Sequence, residues 1–462
     1  MLYETLRAAA RVALLWYYGD VVVQGRERIP AHGPLLVVAN HPNALVDAML
    51  VATSFRRPVL ITAKATLFEH PLLGPFLSAV GVVPLQRARD VRSAAPNSLS
   101  VSRNEASLSR VTAALSRNRV VLIFPEGISH DEPALVPLKT GAARVALQAR
   151  ATGTRVLLVL PVGLVFEAKE QPRSRVLVRI GAPIDLDVWC AAHVSDDAAA
   201  LTKEIDVCLR RVTLNFATAE RAHRTVRIAH ALAAITGEPP ALDSTRTLES
   251  ETEIAVRVEK ATEALERSSP TLSAAADALA SRLESFEARL TARGATLEDA
   301  KVSLRLHHGA RFVLREGALL AVALPVAILG RIMHWLPIRI ARAVAMRSLR
   351  TDPSRDQPAM RTIVLGLAAG LAWYALQALL VTVWLGGVAA ALWLVSMFMA
   401  ANIALRLHDR LARARQRART YLVLRADPIL RASVLSDIEK FLAEAVAFEQ
   451  ALAQGTVREN LS

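Results

Sequence analysis

His41 and Asp47 are the first residues whose types and spacing allow chemistry. They lie in the run Asn40-His41-Pro42-Asn43-Ala44-Leu45-Val46-Asp47, directly after the apolar stretch 35–40. A neutral imidazole with an ordinary pKa of about 6.5 can take a proton from an alcohol near neutral pH. A carboxylate bonded to its second ring nitrogen fixes the tautomer and stabilises the imidazolium. Residues six apart do not share a face of a continuous helix. His41 is therefore expected in the turn before a helix, with Asp47 reaching back from it. Pro42 supports this, because the residue before a proline avoids the helical region.

Three further clusters follow apolar runs. Gly81-Val82-Val83-Pro84-Leu85-Gln86-Arg87 offers Arg87, whose planar fork suits phosphate oxygens. Phe124-Pro125-Glu126-Gly127-Ile128-Ser129-His130-Asp131 is followed by Pro137-Leu138-Lys139-Thr140-Gly141. There Gly127 allows close approach of the backbone to a ligand. Glu126 can accept from a substrate hydroxyl, and Lys139 can neutralise phosphate. The last cluster is Leu160-Pro161-Val162-Gly163-Leu164, with Arg173-Ser174-Arg175 soon after it.

The elements that must position these residues read as α/β. Segments 35–40, 58–62, 120–124 and 156–162 are short β-branched or apolar runs, as expected of strands buried on both faces. Helix-like stretches such as 141–151 separate them. Residues 20–215 are therefore expected to form an α/β domain with a largely parallel sheet, with ligands at the carboxyl ends of the strands. Residues 1–19 form an amphipathic helix that lies on a membrane or packs on its own domain. Residues 216–315, rich in Ala, Glu, Arg and Leu, read as a helical spacer or bundle broken at Pro239-Pro240 and at Ser268-Ser269-Pro270.

The C-terminal part points to a bilayer. Residues 362–405 carry no charged side chain, enough for two spans of about 20 residues. These are expected at 363–383 and 386–405, with Gly386-Gly387 as the turn. Arg339, Arg342, Arg347, Arg350, Arg355 and Arg361 flank the hairpin on one side. Arg406, Arg410, Arg413, Arg415, Arg417 and Arg419 flank it on the other. The positive-inside rule then keeps both flanks, the α/β domain and the basic helical tail 406–462 on the cytoplasmic face of the cell membrane. The apolar stretch from Gly317 to Gly330 is too short to span and is interrupted by Pro325, so segment 316–338 is expected to be interfacial or re-entrant.

Bulk composition agrees. The net charge is +14 and the pI about 10.6, supplied mostly by arginine, which points to a polyanionic partner. Aromatic residues make up only 5 %, leaving little material for stacking bases, and no nucleic-acid motif is present. A membrane surface is the partner expected, not nucleic acid. Two cysteines exclude a disulfide framework and show no metal-ligand spacing.

Taken together, the four clusters resemble the blocks of the glycerolipid acyltransferase superfamily, which includes glycerol-3-phosphate and lysophosphatidate acyltransferases. That family places four residues between His and Asp; here there are five, Pro42 to Val46. The fungal-type glycerol-3-phosphate/dihydroxyacetone-phosphate acyltransferases share the longer spacing, with an Asn at the position of Asn43. They are also similar over Phe124 to Asp131, Pro137 to Lys139, Arg173 to Arg175 and Gly181 to Ile184. The resemblance covers about residues 15–215. It implies His41 as general base and Asp47 as its orienting partner. It implies substrate contacts from Asn43, Glu126, Gly127, Ser129 and Lys139, with Arg87 as phosphate ligand, although Gln86 stands where the family has an acidic residue. It implies no metal and no cofactor beyond an acyl-CoA or acyl carrier protein co-substrate. The acceptor is expected to be glycerol 3-phosphate or dihydroxyacetone phosphate, with a lysophospholipid as the alternative. A catalytically silent membrane lipid-binding scaffold is the reading of another class.

Overall fold

The computed structural model describes residues 2–69, 73–79, 81–85, 108–193, 197–237, 247–268, 270–301, 306–351 and 358–459. The chain divides into two compact units, residues 1–215 with 344–365, and residues 216–343 with 366–462.

In the first unit the described residues form one sheet of eight strands. These are β1 (Asp20–Gln24), β2 (Leu35–Ala39), β3 (Val59–Lys64), β4 (Val83–Leu85), β5 (Val120–Ile123), β6 (Leu158–Phe166), β7 (Arg175–Ile180) and β8 (Ile184–Asp185). Their order is β1-β7-β6-β2-β5-β3-β4, with β8 also paired to β6. β6, β2, β5, β3 and β4 run parallel, as the apolar runs imply. The antiparallel step comes at β6, which pairs with β7 and β8 in that sense.

β2 sits centrally, with Leu35 in register with Val120 on one side and Leu158 on the other. All five of its residues are fully buried. Leu35, Val37 and Ala39 join the layer that contains α1 (Leu2–Tyr17) and α2 (Ala44–Ser54). Leu36 and Val38 face the opposite layer, built on helices Gly141–Ala151 and Ala198–Val212. Period-two alternation with both faces covered is why β2 reads as an unbroken apolar run.

Of the two readings of the N-terminal helix, the structure takes packing on its own domain. Leu14 and Tyr17 are buried, and the charged residues of the amphipathic pattern act locally. Arg7 Nη1 donates to the carbonyls of Phe55 (3.1 Å) and Arg56 (2.9 Å), and Arg11 Nη2 donates to that of Thr53 (2.9 Å). These guanidinium groups satisfy carbonyls that the C-terminus of α2 leaves without intrahelical partners.

The second unit is helical. Ala219–Thr236, Pro270–Ala292 and Pro428–Glu459 contribute to one core around Ile235, Phe286, Leu290, Ile438 and Phe441. Three helical stretches, Gly309–Val344, Ala359–Leu385 and Gly387–Ala426, are long and apolar enough to cross a membrane. Gly386, with φ of 87°, separates the last two. Segment 316–338 is helical throughout. Pro325 and Pro337 lie inside one continuous helix, Leu306–Thr351. A proline removes one helical hydrogen bond, but every other backbone group of an apolar helix keeps its partner, which favours continuity where no water is available. Nor does the helix begun at Gly387 stop at residue 405; it runs on to Ala426. Two arginines expected to face an anionic surface are held internally. Arg410 grips Glu316 through two bonds of 2.7 and 2.8 Å, and Arg417 Nε donates to Asp299 (2.8 Å).

Gly163 on β6 packs directly beneath the end of helix Ala198–Val212. A Cβ there would lie 2.0 Å from the Val212 carbonyl oxygen, whereas one at Gly141 meets open space. Gly163→Ala is expected to force the helix off the sheet and destabilise the domain by about 1–3 kcal/mol, the usual range for overpacking. Thermal melts of the detergent-solubilised protein should show a lowered midpoint for Gly163→Ala and an unchanged one for Gly141→Ala.

Candidate active site

His41 leaves the carboxyl end of β2, and its loop is fastened from both neighbouring strands. On the β6 side the Asn40 amide extends the ladder, donating to the Leu164 carbonyl (3.0 Å) and accepting from the Leu164 N–H (2.7 Å). On the β5 side the loop after Ile123 closes over it. The Phe124 ring stacks on the His41 imidazole at 3.9 Å between centroids and 11° between planes. The His41 N–H donates to Glu126 Oε1 (2.8 Å), and the His130 N–H donates back to the His41 carbonyl (3.3 Å). Ser129 Oγ accepts from the Ala44 N–H (3.1 Å). Lys169, just beyond β6, donates to the Pro42 carbonyl (2.5 Å) and pairs with Asp131.

The turn delivers Asp47 to His41 as the spacing requires. His41 Nδ1 and Asp47 Oδ2 are 2.9 Å apart, and the Asn43 N–H donates to the same oxygen at 2.6 Å. α2 starts at Ala44, whose φ of 47° lies in the left-handed region that non-glycine residues avoid. Strain of this kind costs about 1–3 kcal/mol and persists only where surrounding contacts hold it. Asp47 is fully buried, and its second oxygen has no hydrogen-bond partner among the described residues. Burial pushes its carboxyl pKa up, against the opposing pull of His41 and the Asn43 N–H. A carboxylate only accepts, so Nδ1 carries the proton and the lone pair is on Nε2. Nε2 has no hydrogen-bond partner among the described residues. The pair can therefore accept a proton from a hydroxyl brought to Nε2, with Asp47 stabilising the resulting cation.

The residues expected to contact substrate separate into two groups. Glu126 faces inward. Its side chain has no solvent exposure, and both oxygens are engaged, by the N–H groups of His41 and Val136 (3.1 Å) and by the His130 ring. It positions the His41 loop and is not open to a substrate hydroxyl. Asn43 is likewise buried, its amide donating to Tyr18 Oη (2.9 Å), and Ser129 is bonded to the turn. Gly127 and Lys139 remain at the surface of the site. Gly127 adopts φ of 74°, and the Lys139 Cγ lies 3.5 Å from where its Cβ would stand. Lys139 is exposed and makes no ion pair among the described residues. Arg87 lies outside the described residues. Arg173 and Arg175 act within the fold, Arg173 on the carbonyls of Leu15, Trp16 and Tyr18 at the end of α1, Arg175 on Glu167 (2.7 Å).

Tyr18, Lys169 and Asp131 also support the site, and sequence reasoning gave them no role. Asp131 stands in a cluster already singled out, but Tyr18 and Lys169 reach the His41 loop across 25 and 126 or more positions, respectively, with no local signal.

Residues 20–165 match the family model described as Acyltransferase. A 1-acyl-sn-glycerol-3-phosphate acyltransferase of Borreliella burgdorferi is 30 % identical over 155 residues, which is 33 % of this chain and 56 % of that protein. Glycerol-3-phosphate O-acyltransferase 2 of Saccharomyces cerevisiae is 39 % identical over 98 residues, 20 % of this chain and 13 % of that protein. The chain thus spans about half the length of the first relative and far less of the second. The crystal structure of the 1-acyl-sn-glycerophosphate acyltransferase PlsC of Thermotoga maritima aligns at a TM-score of 0.35 and 22 % identity, over 46 % of this chain and 78 % of that one. The region that matches this family model carries the His41 loop.

The hydrogen bond that the His130 ring donates to Glu126 raises the pKa of His130 above the ordinary histidine value. A raised value adds stability below the unfolded pKa of about 6.5, and the gain is lost as pH rises through the folded one. The loss of melting temperature caused by His130→Gln should therefore be larger at pH 6 than at pH 9. Equal losses at both would show that the bond carries no protonation-linked stability.

Proposed function

With an acyltransferase domain as premise, we propose that the protein transfers a fatty acyl group from the thioester of acyl-CoA or acyl carrier protein to a hydroxyl of glycerol 3-phosphate or dihydroxyacetone phosphate. The observation that carries this is the His41–Asp47 pair, with Nε2 as the available lone pair. The acceptor oxygen attacks the thioester carbonyl as His41 Nε2 takes its proton. The C–O bond forms, the C–S bond breaks, and the imidazolium returns the proton to the departing sulfur. Asp47 lowers the energy of the imidazolium throughout, and general-base assistance of this kind contributes about 10²–10⁴-fold. Lys139, beside Gly127, is the described side chain best placed to neutralise the acceptor phosphate, with Arg87 a second candidate from the sequence.

A lysophosphatidate acceptor is the second reading, favoured by the Borreliella relative; the yeast relative favours glycerol 3-phosphate. Either way, donor chain and product partition into a bilayer, and the three long apolar helices support an enzyme that works at one. The arginine flanks of the 362–405 segment favour a catalytic domain on the cytoplasmic side.

Membranes containing the protein, supplied with labelled palmitoyl-CoA and each of the three acceptors in turn, test the reading. Transfer should occur to one acceptor, fall by at least about 10²-fold in His41→Ala, and fall substantially in Asp47→Asn with little change in KM. Glu126→Gln should lose activity together with thermal stability, since one of its buried donors is then left without an acceptor. If wild type labels no acceptor with either donor type, a silent lipid-binding scaffold becomes the better description.

A further inference from the structure

Away from the His41 loop, the first unit holds a cleft of about 280 Å³ lined by Gln24, Arg28, Arg179, Cys208 and Arg211. None of the residues assigned to acyl transfer lines it. The cleft arises from a notch in the sheet. β7 pairs with β6 as far as Ile180 opposite Val162, β8 rejoins β6 opposite Val159, and between them the chain is tied by one bond from the Gly181 N–H to the Pro161 carbonyl.

Three arginines line this notch from three elements. Arg28 comes from the short 3-10 turn Arg26–Arg28 after β1, Arg179 from β7, and Arg211 from the last turn of helix Ala198–Val212. Among the described residues no carboxylate lines the cleft itself, and the nearest beside Cys208 is Glu204, whose Oε1 accepts from the Cys208 thiol at 3.6 Å. Arg28 Nη1 donates to the Ile180 carbonyl (2.9 Å) and Arg179 Nε to Gln24 Oε1 (3.0 Å), which helps to orient both groups. The Glu27 carboxylate lies 3.8 Å from Arg28, an exposed pair that neutralises little. The helix dipole accounts for an arginine at position 211 but not for the other two. Like charges converging on one concavity raise the local positive potential, and a multi-oxygen anion is the complement that planar guanidinium forks fit best.

We propose that this cleft binds a phosphate ester, either a phospholipid headgroup or a soluble phosphate, through Arg28, Arg179 and Arg211. The site is separate from acyl transfer and stands whether or not that reading holds. Cys208 gives it a reporter, because occupancy shields the thiol, while Cys190 lies outside the cleft and serves as internal reference. Burial raises the Cys208 pKa, so alkylation is followed at alkaline pH.

The experiment uses the full chain in phosphatidylcholine nanodiscs, with alkylation of the two cysteines quantified by mass spectrometry. Inorganic phosphate is titrated against chloride at equal ionic strength, and in a second arm phosphatidate is included in the disc. Protection of Cys208 relative to Cys190 by inorganic phosphate identifies a soluble ligand; protection by phosphatidate alone identifies a headgroup. In either case Arg28→Gln/Arg211→Gln, both exposed positions, should shift half-protection at least about tenfold to higher ligand. Absence of protection in both arms, equal protection by chloride, or unchanged protection in the double variant would overturn the proposal.

Discussion

A carboxylate withdrawn from water must recover the lost hydration from hydrogen-bond donors, or its burial costs several kcal/mol. Glu126 meets that demand with the backbone of His41, the backbone of Val136 and the ring of His130. The loops after β2 and β5 therefore cannot separate without leaving a buried charge unmatched. The stacked Phe124 ring, the Ser129 bond to Ala44 and the Lys169 bond to Pro42 all act on a loop whose position this carboxylate already sets. Adjacent parallel strands make the arrangement feasible, because β2 and β5 end at the same level and present their loops side by side.

The two buried carboxylates do different work. Both Glu126 oxygens are matched by donors, so it is a fastening. Asp47 has one oxygen shared between His41 and Asn43, and the other has no partner among the described residues. Its incomplete match leaves its charge less stabilised at rest, and formation of an imidazolium beside it provides the missing counter-charge. An electrostatic contribution that grows as charge develops on His41 is what lowers a barrier, in contrast to one that is the same before and during reaction.

The chemistry was more legible in sequence than the scaffolding. The apolar runs gave the strands because both faces of β2 are covered, and Pro42 with the six-residue offset gave the turn that brings Asp47 to His41. The position of Glu126 was legible, its role was not. A glutamate after a strand reads as ready for substrate, and only a partner 85 residues away in the chain reveals that it faces inward. Tyr18 and Lys169 were silent for the same reason, since tertiary partners leave no periodicity. Pro325 did not break the helix through segment 316–338, because a proline weighs heavily in water, where a broken helix can hydrate its ends, and lightly in an apolar helix that keeps its remaining bonds.

The left-handed residue at Ala44 carries a consequence for loop length. Each residue added to or removed from an α-helix turns every later side chain by about 100° around its axis. Five residues separate His41 from Asp47, and the backbone reversal at Ala44 is where that count is absorbed before the helix sets its phase. The loop thus acts as a gauge block between the imidazole and the helix. Shortening it by one residue without resetting Ala44 would swing the carboxylate toward a neighbouring face, so exchanging this segment for one of another length requires replacing the turn and the first helical turn together.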